Sequence, residues 1–112
     1  MIQQMILNAV NGLEDKKGEN IKVIDIREVS PISDYFVLAT GSNRSQIQAM
    51  ADSVEEKMHK VGFHLKQVEG YDSANWILMD FVDIVVHIFD RESRDFYDLE
   101  RIWSDGKLVE ME

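Results

Sequence analysis

Cysteine is absent from this chain. That removes disulfides, thiolate zinc sites and cysteine nucleophiles, and it fits a reducing compartment. Proline occurs once and glycine six times, so long flexible linkers are not expected. No apolar run approaches the roughly 18 residues that span a bilayer. The opening stretch "MIQQMILNAVNGLEDKK" lacks the basic start and unbroken apolar centre of a signal peptide, and the arginine richness of a transit peptide. The expected compartment is the cytoplasm, with no membrane contact. Positive charge is scarce as well: 12 Lys and Arg stand against 21 Asp and Glu, a net charge of −9. The cations do not cluster, so a phosphate backbone would repel the chain, and little direct nucleic-acid contact is expected. An acidic field instead speeds encounter with a basic protein partner.

What is present is apolar material in two periods. Of the 112 residues, 45% are hydrophobic, enough for one packed domain that buries roughly two-thirds of its unfolded surface. Ile2, Ile6, Ala9, Val10 and Leu13 recur at helical spacing over 2–15. "IKVIDI" (21–26) alternates as a short strand, and "SPIS" (30–33) is a turn. "DYFVLAT" (34–40) is nearly continuous in β-formers, the pattern of a strand covered on both faces. After Gly41-Ser42-Asn43, a helix over 44–61 carries Ile47, Met50, Ala51, Val54, Met58 and Val61 on one stripe. Asn43 with Gln46 makes a capping box, and Gly62 is the stop. "HLKQVEG" (64–70) alternates weakly, and "WILMDF" and "DIVVHIF" are two strands joined by a tight turn at Val82. Asp90 caps a last helix over 91–103, with Phe96, Leu99 and Trp103 as its buried stripe. Residues 1–105 form the expected domain and 106–112 a frayed polar tail. The 34–40 strand, the long helix and the 64–69 strand form a βαβ unit. The expected class is α/β: one mixed sheet of about five strands with helices packed on it.

The search for chemistry finds little. Gly41-Ser42 sits between a strand and a helix N-terminus, a junction that can bind an anion, as nucleotidyltransferases do. Those enzymes also need paired carboxylates one residue apart on a neighbouring strand to hold metal, and no such pair follows. Along one strand Asp83 and His87 stand four residues apart, about 13 Å, too far to share a metal. His87 reads as a hydrogen-bonded, half-buried histidine, and His59 and His64 show no ligand spacing. There is neither a Gly-x-Ser-x-Gly elbow nor a glycine-rich phosphate loop. No catalytic residue, cofactor or metal is expected. Trp76 and Tyr97 lie off the apolar stripes beside polar residues, as interface anchors do.

Taken together, "SPISDYFVLATG", "SQIQAMADSVEEKM", "VEG", "WILMDFVDIVVHIF" and "ESRDFYDLERIW" resemble the ribosomal silencing factor, or Iojap-like, family over most of residues 21–105. The resemblance implies a nucleotidyltransferase-like fold without the catalytic carboxylates. It implies binding to the large ribosomal subunit through the universal ribosomal protein numbered fourteen, which blocks joining of the small subunit and lowers translation in stationary phase or starvation. Family members often pair, so a homodimer is an added expectation. The docking surface implied is Trp76, Asp80, Asp83 and the final helix, and the candidate set is Glu69, Trp76, Asp80, Phe81, Asp83, Arg94, Tyr97 and Glu100. The competing reading is a nucleotide-binding protein using Gly41-Ser42. One departure stands out. The family often has glycine where this chain has Val82, and a β-branched residue resists positive φ, so a different turn geometry is expected there.

Overall fold

The computed structural model describes residues 2–31 and 33–109; the expectations for Met1, Ile32 and residues 110–112 fall outside the described residues. In chain order the elements are α1 (Ile2–Asp15), β1 (Glu19–Asp25), β2 (Tyr35–Thr40), α2 (Arg44–Lys60), β3 (Gln67–Glu69), β4 (Trp76–Asp80), β5 (Ile84–Phe89), α3 (Arg91–Tyr97), α4 (Leu99–Ile102) and β6 (Lys107–Val109). The expected mixed α/β architecture holds, with six strands rather than about five, in the order β3-β4-β5-β2-β1-β6. Only the central β2–β5 pair is parallel; every other neighbour runs antiparallel.

The two long helices form where their apolar stripes foretell. α1 buries Met5, Ile6, Ala9, Val10 and Leu13, and α2 buries Ile47, Met50, Ala51, Val54 and Met58. Asn43 caps α2 by accepting the Gln46 backbone N–H at 2.8 Å. The Gln46 side chain reaches back to accept the N–H of Ser42, one residue earlier than in the standard capping box. Gly12 allows the helices to cross closely, because a Cβ there would lie 2.8 Å from the Cα of Val54. Both helices lie on one face of the sheet. The main core between them takes in Val23, Val37, Ala39, Ile77, Met79, Ile84, Val86 and Ile88.

Four expectations need correcting. First, β3 is not the parallel neighbour of β2; it lands at the far edge, beyond β5 and β4. Its only apolar residue is Val68 and all three of its residues are exposed, so it cannot fill a central place that is buried on both faces. The fully buried "IVVHIF" of β5 fills that place instead. Second, Lys107–Val109 is no frayed tail but a strand paired with β1, Val23 opposite Val109.

Third, the last helix breaks at Asp98, whose φ of 48° and ψ of 54° are left-handed, a conformation aspartate tolerates better than most residues. The Phe96/Leu99/Trp103 stripe therefore dissolves: Leu99 is buried and Trp103 half-buried, but Phe96 is 79% exposed. Fourth, Val82 does take positive φ, at 75°. The N–H of Asp83 donates to the carbonyl of Phe81, two residues back, at 3.0 Å, so Val82 is the apex of a γ-turn. The strain is held from outside. Ser33 Oγ donates to the carbonyls of Val82 and Asp83 at 3.2 and 2.9 Å, and the backbone N–H of Asp34 donates to Asp83. The positive-φ geometry suited to glycine is kept without glycine, against the expectation of a different turn.

Candidate docking face

Among the described residues, the helices on the second face of the sheet are short, seven residues in α3 and four in α4. Beneath them lies a smaller core of Ile24, Ile26, Phe36, Leu38, Val85, Phe89 and Leu99, with Trp76, Leu78 and Trp103 at its margin. The β4–β5 register sets Trp76 opposite Phe89 and Leu78 opposite His87. The β3–β4 register sets Glu69 opposite Leu78 and Gln67 opposite Asp80. Directly opposed side chains rise from the same side of a sheet, and alternate residues of one strand share a face. Trp76, Leu78, Asp80, Glu69, His87 and Phe89 therefore belong to one face, opposite α1 and α2.

Trp76 is the centre of this face. Its ring stacks on Phe89 at 5.1 Å between centroids and meets Tyr97 at 4.6 Å, and Tyr97 in turn meets Phe96 edge-on at 5.1 Å. Tyr97 and Phe96 are exposed and Trp76 is half-exposed. Apolar ring surface thus runs outward from the sheet to α3. Glu69, opposite Leu78, is exposed beside it, whereas the half-exposed Asp80 and the exposed Asp83 lie toward the turn end of the hairpin, four residues from Trp76 and six from Phe89. The Asp80 carboxylate also accepts the Val82 N–H at 2.7 Å, so one of its oxygens is engaged in the turn.

Two members of the candidate set lie elsewhere. Phe81 is 4% exposed and sits in the main core on the opposite face. Arg94, 5% exposed, is turned inward. Its guanidinium donates to Glu100 at 2.9 and 3.2 Å, to Thr40 Oγ1 at 2.8 Å and to the carbonyl of Asn20 at 2.9 Å. That fork ties α3 and α4 to β1 and β2. The Arg94 hydrogen bonds hold the Glu100 carboxyl below its ordinary range, against the opposing effect of burial. Arg94 and Glu100 hold the helices that frame the face, and only Glu100 has an exposed side.

Sequence reasoning missed two contacts. The Arg94–Glu100 pair spans six residues, a spacing that no continuous helix brings together; the left-handed Asp98 makes it possible. The indole N–H of Trp76 donates to Nδ1 of His87 at 3.0 Å. The signal for that bond is the two-residue loop Val82-Asp83, which sets the register of the hairpin. His87 is also more enclosed than the expected half-buried histidine, at 3% exposure. Burial pushes its pKa down to about 3.

The Gly41-Ser42 junction is already filled. Ser42 N–H donates to the Gln46 side chain, Gly41 N–H donates to the carbonyl of Phe89, and the Gln46 amide donates to the carbonyls of Lys16 and Lys17. His59 and His64 do meet, Nδ1 to Nδ1 at 3.1 Å. Even so, among the described residues no group of three or more His, Cys, Asp or Glu is placed to hold a metal ion. Among the same residues no helix is long and apolar enough to cross a membrane.

A family model described as ribosomal silencing factor during starvation matches residues 1–112. The chain belongs to that family. A ribosomal silencing factor of Halalkalibacterium halodurans is 36% identical over 110 residues, which are 98% of this chain and 94% of that protein. A mouse protein named for mitochondrial assembly of the ribosomal large subunit is 31% identical, over 85% of this chain and 43% of its own length. A crystal structure of a Chromobacterium violaceum protein superposes with a TM-score of 0.91 at 33% identity, covering 99% of this chain and 92% of that one. The family resemblance seen in the motifs therefore extends over nearly the whole chain.

Proposed function

We propose that this protein silences ribosomes by docking on the large subunit through the Trp76–Tyr97 face and so blocking the approach of the small subunit. The observation that carries the reading is that face itself: half-exposed and exposed aromatic rings, with Glu69 beside them and Asp80 and Asp83 farther along the same hairpin. Aromatic anchors inside a charged rim are the common anatomy of a protein interface. The net charge of −9 favours a basic partner, and the family resemblance points to the universal ribosomal protein numbered fourteen. The site of action is the compartment that holds the ribosomes, here taken as the cytoplasm. A relative named for assembly of the ribosomal large subunit supports the choice of subunit.

The mechanism needs no chemistry. A rigid domain occupies surface that the small subunit requires, and inhibition follows occupancy by mass action. The role is regulatory rather than catalytic. The nucleotide-binding alternative loses support, because Gln46 and the carbonyl of Phe89 already take the N–H groups of Ser42 and Gly41.

The test is co-sedimentation with purified large subunits, with a subunit-joining assay on the same samples. Trp76→Ala and Tyr97→Ala are each expected to weaken docking by more than ~1 kcal/mol, as truncation of an anchor does. Wild-type co-sedimentation by both variants would overturn this choice of face. Clear micromolar binding of magnesium and ATP in calorimetry would revive the alternative.

A further inference from the structure

His87 poses a problem that packing does not solve. It is buried among Phe36, Trp76 and Phe89, and its Nε2 has no hydrogen-bond partner among the described residues. An indole nitrogen can only donate. The 3.0 Å contact from Trp76 Nε1 therefore makes Nδ1 the acceptor and places the single ring proton of the neutral imidazole on Nε2. The orphaned atom is thus a buried N–H donor, an arrangement that costs stability and calls for a compensating role. A leucine would fill this apolar site without that penalty.

The compensating role is visible in what His87 does to Trp76. The indole also packs against the second core and meets the rings of Phe89 and Tyr97, contacts that are apolar and fix no polar atom. The bond to Nδ1 draws the one polar atom of the indole inward. What Trp76 can then offer outward is carbon. We infer that His87 is a positioning residue for the docking anchor: it holds the Trp76 N–H inside the domain, so that Trp76 meets its partner as an all-carbon aromatic surface. The partner group that fits is an aliphatic side chain or the flat face of a guanidinium, which can stack on the ring. A hydrogen-bond acceptor aimed at the indole does not fit.

This inference rests on the docking reading above, and its test separates the two. His87→Leu removes the acceptor and relieves the orphan. His87→Asn keeps an acceptor near the Nδ1 position but leaves a smaller, polar group in the core. Stability should thus favour Leu over Asn, whereas positioning favours Asn over Leu. Urea unfolding, hydrogen exchange of the Trp76 indole N–H by NMR, and large-subunit co-sedimentation are measured on both variants. The expected result has the Leu variant folded and at least as stable as wild type. Its indole N–H exchanges about tenfold faster and its docking falls about tenfold, the loss a displaced anchor shows. The Asn variant, though less stable, docks within about twofold of wild type.

Docking that tracks stability instead of the acceptor would make His87 a core residue only and overturn the inference. So would unchanged indole exchange in the Leu variant. The exchange measurement needs no ribosome. If wild type itself fails to co-sediment, the docking reading falls and takes the positioning role with it, while the exchange result still reports whether His87 holds the indole.

Discussion

The two faces of the sheet are built on different principles. The α1/α2 face is apolar and continuous, closed by helices of 14 and 17 residues, and its strength is area removed from water. The α3/α4 face encloses a histidine and an arginine in a smaller core, under short helices that leave Phe96 and Tyr97 in solvent. Hydrogen bonds to single atoms do there what area does on the first face. The lesson is a division of labour. One face makes the domain stable at little cost in precision, and the other holds a few side chains in fixed positions at some cost in stability.

The largest expected effect tests the first face. Leu13→Ala, at a fully buried site, should cost about 2–5 kcal/mol in urea unfolding and leave docking per folded molecule unchanged. A docking loss at equal folded fraction would break the division. Next comes the fork on the second face. Removing one partner of a buried ion pair costs about 3–5 kcal/mol, but the Glu100 side chain is 31% exposed and can rehydrate, so Arg94→Met should cost about 2 kcal/mol. Near-ultraviolet circular dichroism of Trp76 and Trp103 should change more than the far-ultraviolet helical signal.

Acid should act selectively on the second face. The folded pKa of His87, about 3, lies below its ordinary 6.5, so between those values the unfolded chain binds a proton that the folded chain refuses. Stability from this residue is complete above pH 6.5 and is lost as pH falls, at about 1.4 kcal/mol per unit, or about 2 kcal/mol by pH 5. Glu100, shifted down by Arg94, adds its loss only below the ordinary carboxylate range. Urea titrations from pH 7.5 to 5 should show the slope in wild type and a flatter line in His87→Leu. The smallest effect concerns the turn. Val82→Gly relieves a β-branched residue at φ 75° and should raise stability by about 0.5–1 kcal/mol after the added chain entropy of glycine. Docking should stay the same, because Val82 supports the face without being an anchor in it.

How far each face was legible in the sequence follows the same division. Periodicity reports burial in bulk, so the α1 and α2 stripes and the enclosed strand 35–40 could be read directly. Trp76 and Tyr97 stood out as aromatic residues off any stripe, and the structure sets them 4.6 Å apart. The rest of the second face depends on single residues in uncommon conformations. A left-handed Asp98 breaks what reads as one helix, exposing Phe96 and bringing Arg94 to Glu100. Phe81 alternates correctly with Met79, and so falls on the core side and not on the candidate face. β3 was misplaced because one apolar residue gives too weak a pattern to tell an edge from a centre. β6 went unseen because three residues with two apolar side chains cannot be told from a tail.

The parallel pair at the centre of the sheet carries a consequence in time. The β1–β2 and β4–β5 ribbons are each local, the second closed by a two-residue loop, and can form early. Joining them requires β2 to find β5, with Ser33 meeting Val82 across 49 residues of chain, and distant closures of that kind are slow. During synthesis β2 emerges well before β5, so its open edge waits until residues 84–89 are made. A strand that ends fully enclosed is thus made well before the neighbour that completes its enclosure.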